Sequence, residues 1–314
     1  MKLELPLDAR IYVAGHRGLV GSAIVRALER RGFAKILTRG REELDLRDQA
    51  AVGRFFRDAA PEYVFLAAAR VGGIVANSTY PADFILENLQ IATSVIDAAL
   101  RADVRKLVYL GSSCIYPKLA PQPLVEDALM QGPLEPTNEP YAVAKIAGVV
   151  LCRSVMRQYG RPFIALMPTN LYGPNDHYHP ENSHVLPGMI RRFHEAKVQN
   201  RPSVTLWGTG SAKREFLHVD DMAEATLLAM ERYDDPKHLN VGSGSEIAIR
   251  DLAALVRDVV GYTGDIQWDS SRPDGTPRKI MDSSRMRQLG WAPRIELREG
   301  ATEAYRDFLA RDLA

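Results

Sequence analysis

Residues 11–21 read IYVAGHRGLVG, a short apolar segment that runs into a turn with glycines at positions 15, 18 and 21. A helical pattern follows from Ser22 to Arg31, so the predicted order is strand, glycine turn, helix. Glycines at this spacing allow a tight turn, a close approach of the backbone to a pyrophosphate, and close packing of the helix on the strand. The helix N-terminus adds N–H donors for the phosphates. The stretch therefore predicts the first unit of a dinucleotide-binding fold.

Apolar strands and helical patterns alternate after this stretch. Further strands are predicted at 35–38, 62–69, 106–110 and 162–167, with helices at 48–59 and 83–102. The repeated β-α-β order predicts an α/β fold, a Rossmann-type doubly wound parallel sheet with right-handed crossovers. From Gly173 onward, Pro, Asn and His become more frequent and the apolar runs shorten. We expect residues 1–172, rejoined by about 215–243, to form the cofactor domain, and 173–214 with 244–314 to form a smaller, irregular α/β substrate domain.

The residues after the second strand bear on the choice of cofactor. A carboxylate that binds the adenosine ribose of NAD is expected about 20 residues past the glycines. Arg39 and Arg41 stand there instead, and Arg17 lies inside the glycine turn. Three cations without an immediate acid favour the 2′-phosphate of NADP. The alternative is that these are surface arginines.

Composition excludes several classes of protein. The chain has 314 residues, 46% hydrophobic and 25% charged, with a net charge of +1. These values are typical of a globular protein of one or two domains and indicate no nucleic-acid or membrane partner. Two cysteines, Cys114 and Cys152, fit a reducing compartment. The first ten residues lack the apolar region of a secretory signal, and no apolar run approaches the ~20 residues of a membrane span. We expect a cytoplasmic protein.

A tyrosine and a lysine four residues apart form a candidate proton donor. Asn138 is predicted to be a helix N-cap and Pro140 lies near the first helical position. Tyr141 and Lys145 then share one helix face. An ammonium group beside a tyrosine stabilises the phenolate and lowers its pKa from about 10. Such a pair can exchange a proton with a substrate oxygen, although the spacing also fits an amphipathic helix with a solvated lysine.

The glycine turn, a serine at the end of a strand and Tyr-x-x-x-Lys occur in this order, and together they resemble the extended short-chain dehydrogenase/reductase family. The resemblance implies that Ser112 orients a substrate carbonyl, that Tyr141 is the acid or base, and that Lys145 also holds the nicotinamide ribose. It further implies an NADP(H) site formed by Gly15, His16, Arg17, Gly18, Leu19, Val20, Gly21, Arg39, Arg41, Asp45, Leu46, Leu110, Gly111, Ser112, Ser113, Lys145, Pro168, Thr169, Asn170, Leu171 and His184.

Longer strings narrow the resemblance to members of that family that act on GDP-linked 4-keto sugars. These strings lie at 14–18, 72–77, 112–117, 182–185, 214–221 and 273–279. The match runs from about Arg10 to the last helix, with departures in the first nine residues and in loops such as 233–238. It implies conversion of GDP-4-keto-6-deoxy-D-mannose to GDP-L-fucose, by epimerisation at C3 and C5 and NADPH-dependent reduction at C4. It also implies a homodimer built from the helices that contain Asp83 and Tyr141.

The chemistry of such a substrate requires a second pair of groups. A 4-keto group acidifies the hydrogens on C3 and C5, and inversion needs a base on one face and an acid on the other. By resemblance the pair is Cys114 and His184, and both residue types can titrate near neutral pH. The sequence leaves open which is the base. A small buried hydrophobe is the alternative for Cys114, and helix capping is the alternative for His184, although Ser183 is the better cap.

The nucleotide end of the substrate needs cations for the diphosphate and a flat surface for guanine. Arginine suits phosphate oxygens because it makes bidentate contacts. By resemblance the candidates are Asn170, Arg192, Trp207, Arg214, Asp274 and Lys279. Four other histidines show no metal-ligand spacing, so we predict no metal: His177, His179, His194 and His218.

Two other functions remain open. A nucleotide-sugar 4-epimerase or 4,6-dehydratase shares the fold, but such enzymes typically retain NAD, and a dehydratase would place a carboxylate pair where Cys114 and Ile115 stand. A non-catalytic NADP-sensing protein is an alternative of another class. Such proteins commonly lack the tyrosine or the lysine, and both are present here. Turnover would separate an enzyme from a sensor.

Overall fold

The computed structural model describes residues 5–180, 183–272 and 274–311. Asn182 and Pro273, which belong to two of the strings that carry the resemblance, lie outside the described residues, as do 1–4 and 312–314. The strands are β1 (Ile11–Ala14), β2 (Ile36–Leu37), β3 (Tyr63–Leu66), β4 (Lys106–Leu110), β5 (Phe163–Pro168), β6 (Asn170–Tyr172), β7 (Ser203–Trp207), β8 (Lys213–His218), β9 (Leu239–Val241), β10 (Glu246–Ala248), β11 (Asp265–Asp269) and β12 (Arg278–Lys279). The helices are α1 (Leu19–Arg30), α2 (Gln49–Ala59), α3 (Ile74–Thr79), α4 (Pro81–Arg101), α5 (Glu139–Tyr159), α6 (Val185–Val198), α7 (Val219–Arg232), α8 (Ile249–Val260), α9 (Ser284–Gln288) and α10 (Leu297–Ala310).

Six strands form a parallel sheet in the order β2-β1-β3-β4-β5-β9. Helices α1 and α7 pack on one face of the sheet, and α2, α4 and α5 pack on the other. Strands β1, β3 and β4 are buried along their whole length because both faces are covered. The doubly wound fold is therefore confirmed. The strand order reverses between β1 and β3, and this is the point at which α/β sheets bind ligands.

The glycine turn is tighter than the sequence analysis expected. Gly18 is the N-cap of α1, which begins at Leu19 rather than at Ser22. Gly15 has φ +86°, and a Cβ there would lie 2.8 Å from the backbone of Ala68. A Cβ at Gly21 would lie 2.1 Å from the Gly15 carbonyl oxygen. A Cβ at Gly18 would meet its nearest protein atom only at 3.5 Å, so packing requires Gly15 and Gly21 while Gly18 leaves room for a ligand.

The second half of the chain builds smaller sheets beside the first. Strand β8 lies between β10 and β12 and also pairs with β6, while β7 pairs with β11. Helices α6, α8 and α10 enclose a third apolar core next to these strands. Strand β9 returns to the edge of the large sheet, and α7 packs against α1. The division into two domains at the predicted boundaries stays a prediction. Across the described ranges, no helix is both long and apolar enough to span a bilayer.

Candidate active site

A cavity of about 440 Å³ opens where β1 and β3 end. Its volume lies in the range of small-molecule sites. The predicted cofactor residues that line it are Gly15, His16, Arg17, Gly18, Arg39, Arg41, Asp45 and Leu46. Leu19, Val20 and Gly21 form the first turn of α1, with Val20 packed on the core below the cavity. The strand end and the helix start thus bring the glycine turn to the edge of the cavity.

Three arginines meet around this cavity although they are up to 24 positions apart. Arg17 Nη1 lies 2.7 Å from Glu42 Oε1, and the guanidinium of Arg39 lies 5.3 Å from the centre of the Phe55 ring. Arg41 lies 3.9 Å from a Glu87 oxygen. Arg17 and Arg41 are mostly exposed, so their charges remain available to a phosphate. His16 also has a buried Nδ1 with no hydrogen-bond partner among the described residues. These donors and cations fit a dinucleotide that carries an extra phosphate.

Two further arginines, which were not predicted from the sequence, line the same cavity. Arg47 Nη2 lies 2.6 Å from Asp45 Oδ2, and these hydrogen bonds lower the pKa of Asp45 to about 2. Arg70, which follows the run of small residues after β3, pairs with Glu87. Their signals in the sequence were slight: one arginine two residues after Asp45 and one at the end of an alanine run. Both are positioned to add to the positive charge of the cavity.

The carboxyl end of β4 forms a sharp turn. A Cβ at Gly111 would meet the side chain of Met167, so a glycine at this position lets the chain after β4 pack closely against β5. The Ser112 hydroxyl accepts a hydrogen bond of 3.2 Å from the Cys114 backbone N–H and starts a single 3₁₀ turn, Ser113–Ile115. Ser113 and Ile115 are buried, whereas Ser112 and Cys114 are partly exposed. The turn therefore presents the hydroxyl and the thiol to the cleft and directs Ser113 inward.

Helix α5 brings the Tyr-Lys pair to the same place. Lys145 Nζ donates a 2.8 Å hydrogen bond to the Leu110 carbonyl and lies 5.8 Å from the centre of the Tyr141 ring. Burial lowers the pKa of Lys145 to about 7. Burial also raises the pKa of Tyr141, and the nearby Cys114 acts in the same direction, whereas a hydrogen bond with Ser112 lowers it. The expectation that Lys145 lowers the pKa of Tyr141 is thus wrong for this arrangement, because desolvation is the largest effect.

One of the two predicted helix N-caps lies where it was expected, and neither cap position makes a side-chain capping hydrogen bond within the described part of the chain. Asn138 occupies the N-cap of α5, but its side chain makes no capping hydrogen bond, and its buried Oδ1 has no partner among the described residues. His184, rather than Ser183, occupies the N-cap of α6, and its ring caps no described N–H group. Desolvation and the neighbouring His177 lower the pKa of His184. A neutral imidazole in this position can accept a proton.

Lys279 lies beside Cys114 rather than only at the nucleotide end. It is the last residue of β12, where it pairs in register with Arg214 of β8. Its Nζ lies 3.7 Å from Cys114 Sγ, although the two residues are 165 positions apart. By resemblance Lys279 was expected only at the nucleotide end, so its contact with Cys114 was not predicted.

The other candidates for the nucleotide end lie around β7 and β8. Trp207 ends β7 and is 51% exposed, with the guanidinium groups of Arg192 and Arg272 at 5.7 and 5.2 Å from its ring. Burial lowers the pKa of Arg214, and the charge of Asp274 opposes that shift. Asp274 accepts two 2.7 Å hydrogen bonds from Thr209, one from the backbone and one from the hydroxyl, so it anchors a loop. Arg272 was missed because a single arginine in a polar loop carries no pattern.

A buried glutamate supports the end of β5. Thr169 and Asn170 donate to the carbonyl oxygen of Glu215 at 3.3 and 2.7 Å. The Glu215 carboxylate accepts from the backbone N–H groups of Gly244 and Met281 at 2.6 and 3.1 Å. One residue therefore ties together β6, the loop after β9 and the segment after Lys279. The remaining predicted residues of this region are Pro168, the last residue of β5, and Leu171 of β6, which packs on the core.

Cys152 was expected to be a core residue, and no metal site was predicted. Cys152 is 1% exposed and packs in the core between α5 and the sheet, as predicted. Among the residues that the structure describes, no group of three or more His, Cys, Asp or Glu could hold a metal ion.

Comparisons with known proteins place the chain in a family. A profile of the NAD dependent epimerase/dehydratase family matches residues 11–242. The chain is 60% identical to a probable GDP-L-fucose synthase 1 of Oryza sativa subsp. japonica, over 95% of this chain and 91% of that protein. It is 55% identical to the GDP-L-fucose synthase of Escherichia coli (strain K12), over 96% of each. Among solved structures, a GDP-mannoheptose C4 reductase from Campylobacter jejuni with NADP bound has a TM-score of 0.90 and 38% identity, covering 98% of this chain and 100% of that one. From its sequence, its sheet order and these likenesses, the chain belongs to the NAD dependent epimerase/dehydratase family.

Proposed function

We propose that the protein converts GDP-4-keto-6-deoxy-D-mannose to GDP-L-fucose, by epimerisation at C3 and C5 followed by NADPH-dependent reduction at C4. The observation that carries this proposal is the convergence of Ser112, Cys114, Tyr141 and Lys145 at the end of β4. A reductase alone needs the serine, tyrosine and lysine. The thiol beside them provides an additional group for proton transfer at carbon. Relatives at 55–60% identity that are named GDP-L-fucose synthases support the same assignment.

Epimerisation needs a proton removed from one face of a carbon next to the ketone and returned on the other. The C–H bond breaks, its electron pair moves into an enolate, and negative charge collects on the C4 oxygen. The hydroxyls of Ser112 and Tyr141 can donate hydrogen bonds to that oxygen. Cys114 and His184 form the proton-transfer pair, one removing the proton and the other returning it.

Reduction places a hydrogen on C4 and a proton on its oxygen. Bound NADPH supplies the hydride. Tyr141 supplies the proton, and its raised pKa keeps the phenol protonated until charge develops on the substrate oxygen. Lys145 lies one helical turn further along α5 and holds the nicotinamide ribose, while the arginines at the β1 edge bind the 2′-phosphate. The ends of β1 and β4 are separated by β3, about 10 Å at the usual spacing of strands, which suits an extended dinucleotide.

The nucleotide of the substrate binds over β7 and β8. Trp207 offers an exposed ring face to guanine, and Arg192 and Arg214 bind the diphosphate. Asn170, held by Glu215, contacts the sugar. Asp274 fixes the loop that follows Trp207, so its effect on binding is through the shape of the site.

We also infer that the protein works as a homodimer in the cytoplasm. Helices α4 and α5 pack side by side, and apolar residues on them remain exposed, including Leu86 at 56% and Val143 at 39%. A second copy of the chain is the occupant we propose for this surface. Light scattering on the purified protein tests the proposal, because a monomeric mass at micromolar concentration would exclude it.

The function is tested by mixing the purified protein with GDP-4-keto-6-deoxy-D-mannose and NADPH. The absorbance of reduced nicotinamide reports turnover, and NMR identifies the sugar. We expect NADPH oxidation with GDP-L-fucose as the product. A D-configured product would show that the protein is a 4-reductase without epimerase activity, and it would exclude the proton-transfer roles of Cys114 and His184. NADPH binding without oxidation would exclude this substrate.

A further inference from the structure

The contact between Lys279 and Cys114 has no role in the mechanism above. Lys279 Nζ lies 3.7 Å from Cys114 Sγ, and the sulfur is its one hydrogen-bond partner within the described residues. The adjacent Arg278 lies on the other side of the strand, where its guanidinium pairs with Glu246 at 2.6 Å. Successive residues of a strand face opposite sides, so β12 directs one cation to the partly buried carboxylate of Glu246 and the other to the thiol.

The backbone around Lys279 is held tightly against the segment that follows Cys114. The Ile280 N–H donates 3.0 Å to the Gln122 side chain, and the Leu124 N–H donates 2.8 Å to the Ile280 carbonyl. The Met281 N–H donates to the buried carboxylate of Glu215. These hydrogen bonds fix the backbone from which the Lys279 side chain reaches the sulfur.

We propose that Lys279 is a positioning residue for epimerisation, whose ammonium group donates a hydrogen bond to the Cys114 sulfur and directs that sulfur at the sugar carbon. This inference rests on the proposed function. The thiol gives its proton to water when the thiolate forms. The sulfur then takes a proton from C3 or C5: a C–H bond breaks, an S–H bond forms, and the electron pair moves to the C4 oxygen. If Cys114 instead returns the proton, the same contact stabilises the thiolate that remains.

Charged and titratable groups approach the sulfur from two elements of the described part of the chain. Lys279 approaches from β12, while Tyr141 and Lys145 approach from α5. Lys145 is engaged with the Leu110 carbonyl and Tyr141 with Ser112. Lys279 is therefore the cation with an ammonium hydrogen directed at the sulfur. A cation in contact with a thiol favours the thiolate, which is the reactive form.

The test is the rate at which iodoacetamide alkylates Cys114 in the folded protein between pH 6 and 9, followed by mass spectrometry. The assay needs neither substrate nor NADPH, so its result is independent of whether GDP-L-fucose forms. Lys279→Gln should lower the rate at pH 7 at least about threefold, because the reacting sulfur loses the ammonium group that contacts it. Lys279→Arg should stay within about twofold of the unsubstituted protein. Lys279→Met repeats the test if the glutamine variant unfolds.

Lys213→Gln is the matched control, because it removes an exposed lysine of β8 that pairs with Glu246. Its alkylation rate should be unchanged. Cys114→Ser measures the background from Cys152, which is buried. An unchanged rate in both Lys279→Gln and Lys279→Met, with weaker GDP binding, would overturn the proposal and leave Lys279 as a ligand of the diphosphate only.

Discussion

Replacing Lys145 by methionine should make the stability of the protein less dependent on pH. The ammonium group is 4% exposed and burial lowers its pKa from 10.5 to about 7. Between these two values the unfolded chain binds more protons than the folded chain, so the stability contributed by this residue rises with pH. The cost of burying the charge is fully present below about pH 7 and disappears above about pH 10.5. Methionine has a similar length and no charge, so it removes this cost.

The size of the effect follows from the two pKa values. Their difference corresponds to about 5 kcal/mol over the whole titration, at roughly 1.36 kcal/mol per pH unit. About half of this, roughly 2.5 kcal/mol, falls between pH 6 and pH 9. Loss of the hydrogen bond to Leu110 costs the variant about 1 kcal/mol at every pH and cancels in the comparison.

Urea titrations of the cofactor-free protein at pH 6, 7, 8 and 9 measure how the free energy of unfolding depends on pH. The free energy of unfolding of Lys145→Met minus that of the unsubstituted protein should fall by roughly 2.5 kcal/mol from pH 6 to pH 9. Lys213→Met, which removes a surface lysine beside Glu246, is the control and should keep the original pH dependence. A difference that stays constant within about 0.5 kcal/mol over this range would show that Lys145 is not desolvated as described, and the reasoning would fail.

Three further substitutions test the site. Tyr141→Phe should slow reduction at C4 about 100-fold or more while NADPH binding, measured by fluorescence, is retained; reduction at the normal rate would remove Tyr141 from the role of acid. Gly21→Ala should destabilise the protein by about 1–3 kcal/mol and weaken NADPH binding, because the new methyl would lie 2.1 Å from the Gly15 carbonyl oxygen. Gly53→Ala, whose Cβ would lie at an ordinary contact distance of 3.7 Å from the Arg57 guanidinium, is the control in the same thermal and binding assays. Trp207→Ala should raise the KM for the nucleotide sugar roughly tenfold without changing that for NADPH, and equal changes in both constants would contradict a role at guanine.

Much of the fold could be predicted from local patterns in the sequence. The predicted strand at 106–110 matches β4, and α2 begins within one residue of its predicted start. These elements are predictable because buried parallel strands are continuous apolar runs, and helices repeat their apolar face every three to four residues. The start of α1 was placed three residues late, because Gly18 serves as the N-cap and Gly21 lies inside the helix.

The candidate site was predictable only where its residues are close in the sequence. Tyr141 and Lys145 are one helical turn apart, so their common direction follows from helix geometry. Arg47 and Arg70 were missed, since only the fold brings them to the cavity of Arg17 and Arg39. The buried carboxylate of Glu215 gave no signal either, since its partners come from segments 29 and 66 positions away.

The sequence by itself determined the alternation of strands and helices, the glycine turn and the Tyr-Lys pair, because each depends on residues a few positions apart. The tertiary structure decided the electrostatics. The direction of the Tyr141 pKa shift depends on how much protein surrounds the ring, and the contact of Lys279 with Cys114 joins residues 165 positions apart. Desolvation and Coulomb interactions depend on distances in space, and no periodicity in the chain encodes those distances.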